Sequence, residues 1–463
     1  MLSTASCWIC CGQPIDPAEA ELTGADENYN AGVEHMQAGR WQPAERSFRA
    51  AIAARRDVAE AHYNLGFVLQ RRGRFLEALR SFQAATELDP GYASAYIGMA
   101  FVHERLGDYP AAEAQLRRAV EVEPRSAEAH RRLGDLLRDT GQPAGAREEY
   151  DRALSLDPAD ANARFGRGFL SLSAGDYAAG WEDYEFRKSN RSFYPALMPR
   201  WRGENPAGKR LLVYGEQGFG DTIQFLRYVP LLAERGARTL LAVPLPLMDL
   251  AAGVDGAHEI VKPAPSPPAF DWSCALGSLP LFFKTTTETI PAKIPYLSVP
   301  AERIAHFRRH LQTPHGLTVA IAWSGNPEHP NDRNRSMRFS DLAPLLSDDR
   351  VMFVVLQKSV EETAGLGRSN LRVLGPDLDN FRDIAAVMCA VDLVISVDTV
   401  FCHLAGALGR PVWTLLSLVS DWRWLRGRRD SPWYPTMRLY RQRTLGDWKS
   451  VVNDVLADLR AMH

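Results

Sequence analysis

Small and apolar positions recur along the first part of the chain with a period of 34 residues. Written in rows, residues 25–58, 59–92, 93–126, 127–160 and 161–194 stack without a gap. Row position 15 is Gly39, Gly73, Gly107, Gly141 and Gly175, and position 8 is Gly32, Gly66, Ala100, Gly134 and Gly168. Position 20 is Ala44, Ala78, Ala112, Ala146 and Gly180, and position 32 supplies Pro90, Pro124 and Pro158. Leu65, Leu69, Phe82 and Ala85 fall at helical spacing, which predicts paired helices burying one face against the next row. Small residues at positions 8 and 20 let the helices approach, Gly at 15 turns the chain, and Pro ends the second helix.

Past residue 208 the pattern becomes short apolar runs. Strands are expected at 210–214, 239–243, 258–261 and 272–275, then at 317–323, 351–356, 393–397 and 412–416. Strands alternating with helices predict parallel sheets, and two series of them predict two lobes. A helix is expected from about Ile223 to Arg235. The domain reading is a disordered tail at 1–24, five repeats at 25–194, a linker at 195–208, a first lobe at 209–300 and a second at 301–463. The fold class is therefore α + α/β, a helical repeat solenoid followed by two Rossmann-like lobes.

The five registered rows resemble the tetratricopeptide (TPR) repeat. Row five departs from the pattern at Arg187 and Ser192, as a terminal row docking on another domain should. The run Gly180–Arg187 is the expected junction, with Trp181 its buried anchor. A protein partner is expected on the concave face of the array. Asn30 and Asn64, both at position 6, resemble the asparagine ladder of O-GlcNAc transferase, but Gly98, Arg132 and Gly166 break the series. Solvated polar residues on helix surfaces are the plainer account.

From Asp392 to Leu416 the chain reads strand, acidic-hydroxyl corner (Asp398-Thr399), helix, Gly409 stop and second strand. A helix starting where a parallel strand ends offers free N–H groups and the positive end of its dipole to an anion. A phosphate-bearing ligand is the first functional expectation. The N–H groups of Val400, Phe401 and Cys402 would hold it, with Thr399 adding a hydroxyl. His403, kept neutral by the dipole, would donate to phosphate or ribose, or else be a satisfied core residue. Asp398 would orient the corner, since like charges repel.

Three motifs carry a second resemblance: Glu216-Gln217-Gly218-Phe219-Gly220-Asp221, Trp323-Ser324-Gly325-Asn326-Pro327, and Asp398-Thr399 with His403-Leu404-Ala405-Gly406-Ala407-Leu408-Gly409. They are similar to GT-B glycosyltransferases of the heptosyltransferase type (glycosyltransferase family 9). The composite layout resembles bacterial TPR proteins with a C-terminal transferase module. The resemblance implies an inverting, metal-independent transfer from a nucleotide-sugar donor to a protein or glycan acceptor, with no cofactor. The first lobe is short for that family, so the family's acceptor specificity does not carry over.

Asp221 is the expected catalytic base, or else the N-cap of the following helix, and the two roles are compatible. Gly218 and Gly220 would thin the loop for the acceptor. Arg335 follows the first strand of the second lobe, where the resembling family places a cationic phosphate clamp. Its neighbours Arg333 and Arg338 leave the assignment open, as does a plain solvated charge run. Gln357 and Lys358, ending the next strand, are candidates for base, ribose or phosphate contacts, and Gly325 and Asn326 would line the cleft. Residues 420–445 hold seven arginines, two aspartates and three tryptophans. The stretch suits anion binding and stacking, but wrapping back on the first lobe with its tryptophans buried is the preferred reading.

Composition narrows the alternatives. A net charge of −2 gives no field for nucleic acid or an anionic membrane. The six cysteines form no spaced framework, which points to a reducing, cytoplasmic setting. Cys7, Cys10 and Cys11 make half a zinc site without a second half, so free thiols on a tail are expected and no metal. No stretch reaches 18 apolar residues, so no transmembrane segment is expected. Gly215, Gly218 and Gly220 miss the spacing of a dinucleotide-binding loop. The competing reading is a non-catalytic TPR scaffold that retains a nucleotide-binding module.

Overall fold

The computed structural model describes residues 17–187, 198–262, 267–311, 316–329, 331–358, 369–378 and 380–462, with side chains from residue 24 onward. The chain divides after Ala163 into two compact units. Cys7, Cys10, Cys11 and Ser192 lie outside the described residues.

The first unit is built of antiparallel helix pairs. They are Pro17–Gln37 with Trp41–Ala54, Ala59–Arg71 with Phe75–Leu88, Ala93–Leu106 with Tyr109–Val122, and Ala127–Asp139 with Pro143–Leu156. The first helix starts at Pro17, inside the stretch expected to be a disordered tail. The conserved spacing now has a mechanical meaning. Gly39, Gly73, Gly107 and Gly141 all sit at φ between 68° and 83°, the left-handed turn that residues with a Cβ adopt at a cost. Row position 8 faces the aromatic ring at position 24: a Cβ on Gly32, Gly66 or Gly134 would lie 2.7–2.9 Å from Phe48, Phe82 or Tyr150. Those three rings are fully buried, each contributing about 2–3 kcal/mol of apolar burial. Asn64, one of the two expected ladder residues, donates to the Tyr29 hydroxyl at 3.0 Å.

The second unit opens with the fifth row, helices Ala161–Ala174 and Tyr177–Tyr184. The same rule packs them: Cβ atoms on Gly168 and Gly180 would meet Asp183 and Leu172 at 2.8 and 2.6 Å. Trp181 is buried and its indole donates to the Thr285 carbonyl at 2.9 Å.

A four-stranded parallel sheet follows, made of β1 (Arg210–Tyr214), β2 (Arg238–Ala242), β3 (Ala257–Val261) and β4 (Trp272–Ala275) in the order β3-β2-β1-β4. Part of the expected linker joins this sheet. The Ser273 N–H donates to the Pro199 carbonyl and its carbonyl accepts from Trp201, both at 2.9 Å, alongside β4. The second parallel sheet contains β5 (Leu317–Ala322), β6 (Val351–Val355), β7 (Leu371–Val373), β8 (Leu393–Val397), β9 (Val412–Leu416) and β10 (Met437–Arg441). Its order is β10-β9-β8-β5-β6-β7. Strands β7 and β10 were not anticipated, because the first is three residues long and the second alternates apolar with arginine.

Both sheets change winding direction at one place, between β1 and β4 in the first and between β5 and β8 in the second. At such a point successive crossovers leave in opposite directions and open a crevice at the strands' carboxyl ends. The helical run after β1 starts four residues earlier than expected, with helix Phe219–Phe225. A 3₁₀ turn at Leu226–Tyr228 and a helix at Val229–Glu234 carry it to Glu234, one residue short of the expected Arg235. Helix Phe219–Phe225 packs on helix Val400–Ala407, which follows β8.

Candidate functional site

The crevice at β5 and β8 is shaped by three close approaches. Gly325, just past β5, leaves room for Arg335 and Asp332, whose atoms would lie 2.6 and 2.7 Å from a Cβ there. The Gly325 N–H donates to Ser336 Oγ at 2.9 Å, so the chain folds back and carries Arg335 over the strand end. Arg335 Nη1 then donates to the Asp398 carbonyl at 3.2 Å, and Nε pairs with Asp332 at 3.3 Å. A guanidinium is thereby held at the carboxyl ends of two adjacent strands, beside the start of helix Val400–Ala407.

Thr399 is the N-cap of that helix. Its Oγ1 accepts from the Phe401 N–H at 3.4 Å and exchanges a hydrogen bond with Ser396 Oγ at 3.1 Å. Its hydroxyl is thus engaged in the corner itself, while Val400, half-buried, occupies the first helical position.

His403 is 2% exposed and stands on the inner face of the helix. Its Nδ1 pairs with the Tyr434 hydroxyl at 3.0 Å, and its ring stacks on Trp424 with centroids 5.2 Å apart. Burial, and then the cations Arg423, Arg227 and Arg335, push its pKa well below the ordinary histidine value. The imidazole is neutral, for that reason more than for the helix dipole. Gly406, one turn on, lies directly under the Tyr434 ring, where a Cβ would clash.

The first lobe brings Asp221 to the same place. It lies in the first turn of helix Phe219–Phe225, where its Oδ2 accepts from the Gly218 N–H at 3.0 Å. Its Oδ1 meets Arg423 Nη2 at 2.5 Å. Asp221 thus does cap its helix, from the third position rather than the N-cap. Gly220 does not thin a loop for an acceptor: it is helical, and the space of its missing side chain is filled by the His403 ring. Gly218 has φ −67°, which any residue adopts, so its conformation gives no reason for glycine.

Other expected residues are engaged locally or are exposed. The Gln357 carboxamide is committed to Ser324, donating to its hydroxyl at 2.8 Å and to its carbonyl at 3.2 Å, and so positions the turn after β5. Lys358 is exposed. Asn326 is exposed too, and its side chain accepts from the Glu328 N–H at 3.1 Å.

The basic-aromatic stretch supplies what sequence reasoning missed. Trp422, Trp424 and Trp433 are all buried. Trp422 and Trp433 join Tyr177, Trp181 and Tyr184 in one aromatic cluster, with the Trp433 indole donating to the Tyr177 hydroxyl at 3.1 Å. Between the first two tryptophans Arg423 turns inward, its side chain 7% exposed, pairing with Asp221 and lying 3.4 Å from Asp421. Burial pushes the Asp421 carboxyl up to about 6. Arg227, also unforeseen, is buried with donors on the carbonyls of Gln224, Pro291 and Trp433 and on the Tyr296 hydroxyl.

Asp398, Cys402 and His403 bring metal-ligand atoms within 4.8 Å of one another, a convergence not read from the sequence. Their chemistry suits a metal poorly. The Cys402 thiol donates to the Thr399 carbonyl at 2.9 Å and burial holds it protonated, while His403 Nδ1 is taken by Tyr434.

A cavity of about 290 Å³ opens at the carboxyl ends of β1 and β4, lined by Tyr214, Glu216, Ser273, Ser278 and Arg187 among others. Arg187 and Glu216, both 5% exposed, form a buried ion pair at 2.8 Å in its wall.

The class defined so far is a helical-repeat protein continuing into parallel α/β sheets. Models described as tetratricopeptide repeat match residues 57–123, 98–161 and 132–184, so this region carries TPR repeats. The chain is 29% identical over 290 residues to Protein FlbA of Caulobacter vibrioides, covering 56% of this chain and 48% of that protein. It therefore spans about half the length of this curated relative. Among solved structures it is similar to MamA from Desulfovibrio magneticus RS-1, with 22% identity, a TM-score of 0.32 and coverage of 35% of this chain and 92% of that one. For PilF of Pseudomonas aeruginosa the values are 20%, 0.34, 36% and 76%. Among the described residues no helix is long and apolar enough to cross a membrane.

Proposed function

We propose that the second unit is a glycosyltransferase of the GT-B kind, inverting and metal-independent. In this reading it moves a sugar from a nucleotide-diphosphate donor to a hydroxyl on a protein or glycan, and the TPR repeats recruit the acceptor or a partner protein. The observation that supports it best is the placement of Arg335. It lies across Gly325 onto the Asp398 carbonyl, at the winding reversal of the second sheet, beside a helix N-terminus and facing the lobe that carries Asp221.

In such a site the diphosphate lies on the first N–H groups of helix Val400–Ala407 and on Arg335, which neutralise the charge that grows as the sugar leaves. Asp221 takes the acceptor hydroxyl's proton, which becomes acidic as the new bond forms. His403 and Gln357 position the two corners rather than touch the donor. The cavity at β1 and β4, on the first lobe, is the proposed entry of the acceptor.

One observation favours a second reading, a scaffold that binds nucleotide without turning it over: both oxygens of Asp221 are already engaged. Thermal shifts with UDP-, GDP-, CMP- and ADP-sugars in EDTA, followed by donor hydrolysis and transfer assays, separate the two. The enzyme reading expects stabilisation by one nucleotide class, loss of it in Arg335→Ala, and turnover. Stabilisation without turnover supports the scaffold, and no stabilisation by any donor removes both.

A further inference from the structure

We propose that Arg423 receives the donor's diphosphate, and that Asp221 is its counter-ion in the empty site, displaced when the anion arrives. This rests on the transferase reading and adds to it a residue and an order of binding.

The position of Arg423 is tightly determined. Trp422 and Trp424, at 1% and 0% exposure, fix the backbone on either side of it. Leu425, two residues on, has φ 50° and ψ −179°, a conformation that costs a residue with a Cβ on the order of 1–3 kcal/mol. A strained turn held by two buried indoles aims one guanidinium at the place where the first lobe meets the N-terminus of helix Val400–Ala407. Its neighbours are Asp221 at 2.5 Å and Asp421 at 3.4 Å, and it acts electrostatically on Cys402 and His403 in the first turn of that helix. Trp424 Nε1 is buried without a hydrogen-bond partner among the described residues, and Arg423 Nε has only the long 3.4 Å ion pair with Asp421. One buried donor without an acceptor, and a second held only by a long ion pair, next to a helix N-terminus make a site that suits an anion.

A carboxylate and a phosphate oxygen compete for the same guanidinium edge, and the diphosphate brings more charge and more oxygens. Its arrival would draw Arg423 from Asp221, leaving Oδ1 open toward the acceptor. The step then balances. The acceptor O–H gives its proton to Asp221 and the oxygen bonds the anomeric carbon. The bond from that carbon to the phosphate oxygen breaks, and its electron pair leaves on the diphosphate against Arg423 and Arg335. Donor must bind before acceptor, because Asp221 is occupied until it does.

The test is calorimetric titration of the full chain with inorganic pyrophosphate in EDTA, comparing wild type, Arg423→Gln, Arg423→Lys, Asp221→Asn and Arg335→Ala. Asn still accepts from the Gly218 N–H, so Asp221→Asn removes the competing charge and keeps the helix cap. The expected result is affinity lowered at least tenfold in Arg423→Gln, less in Arg423→Lys, and raised severalfold in Asp221→Asn. Should Arg423→Gln not fold, the lysine variant and Asp221→Asn decide the matter. A weaker Asp221→Asn, or Arg423 variants that bind as wild type, overturns the proposal and leaves the transferase reading to Arg335. If wild type binds no pyrophosphate, the donor site itself is refuted.

Discussion

The space left by the missing side chain of Gly220 is filled by the imidazole of His403, whose Cδ2 would lie 2.7 Å from a Cβ at position 220. Two helices, each following the central strand of its own sheet, touch through this contact. It ties the residues carrying Asp221 and Thr399 to one another. Helix propensity alone says that Gly220→Ala should stabilise by about 1 kcal/mol. Overpacking a buried ring costs about 1–3 kcal/mol and wins here. The variant should melt lower than wild type, and a higher melting temperature would show the two helices free to part.

The neutrality of His403 has a pH consequence. Its native pKa lies below the unfolded value, so the unfolded chain binds the extra proton first as pH falls. Stability from this group is intact above about pH 6.5 and declines below it, by up to about 1.4 kcal/mol per pH unit. His403→Asn, which keeps a polar atom near Nδ1, should flatten that acid limb relative to wild type. Urea unfolding at a series of pH values between 5 and 8 measures the difference.

Gly325 bears on the proposed donor site without touching the fold's core. A Cβ there would meet Arg335 Nη2 at 2.6 Å, the far end of a flexible side chain that can move aside. Gly325→Ala should therefore shift the melting temperature little, while weakening nucleoside-diphosphate binding about as much as Arg335→Ala does. Unchanged affinity in both variants would detach Arg335 from the ligand.

In the repeats, two glycines of one row are held for different reasons. Gly73, at φ 75°, has open space around it, so Gly73→Ala should cost only the left-handed backbone, about 1–2 kcal/mol. Gly66→Ala would press on Phe82 at 2.7 Å, and its cost should be recovered by Phe82→Leu in the same chain. Denaturant unfolding of Gly73→Ala, Gly66→Ala, Phe82→Leu and the Gly66→Ala/Phe82→Leu double variant shows whether positions 66 and 82 couple.

How far the sequence could be read follows from the range of the contacts. The 34-residue rows were legible because each row repeats the same local demand, a left-handed turn and a small residue facing a ring. The corner at Asp398-Thr399 was legible because strand, cap, helix and Gly409 are contiguous. Arg423 was not, since it meets Asp221 across 202 residues and its own neighbourhood reads as a solvated basic run. Gly220 was misread for the same reason. A glycine next to Gly218 looks like loop chemistry until a histidine from the other lobe is seen in its place. Gln357 ended its strand where ligand contacts are expected, but a carboxamide is as good a partner for a neighbouring turn as for a base.

Arg227 bears on the order in which the protein can be made. Its guanidinium lies in the first lobe, yet one of its acceptors is the Trp433 carbonyl and one of its stacking partners the Tyr434 ring. A ribosome delivers those residues some two hundred positions later, so the nascent first lobe must wait with an unsettled buried cation. Chains stopped short of Trp433 should remain soft in that lobe and open to proteases, and should firm up only after the last segment emerges.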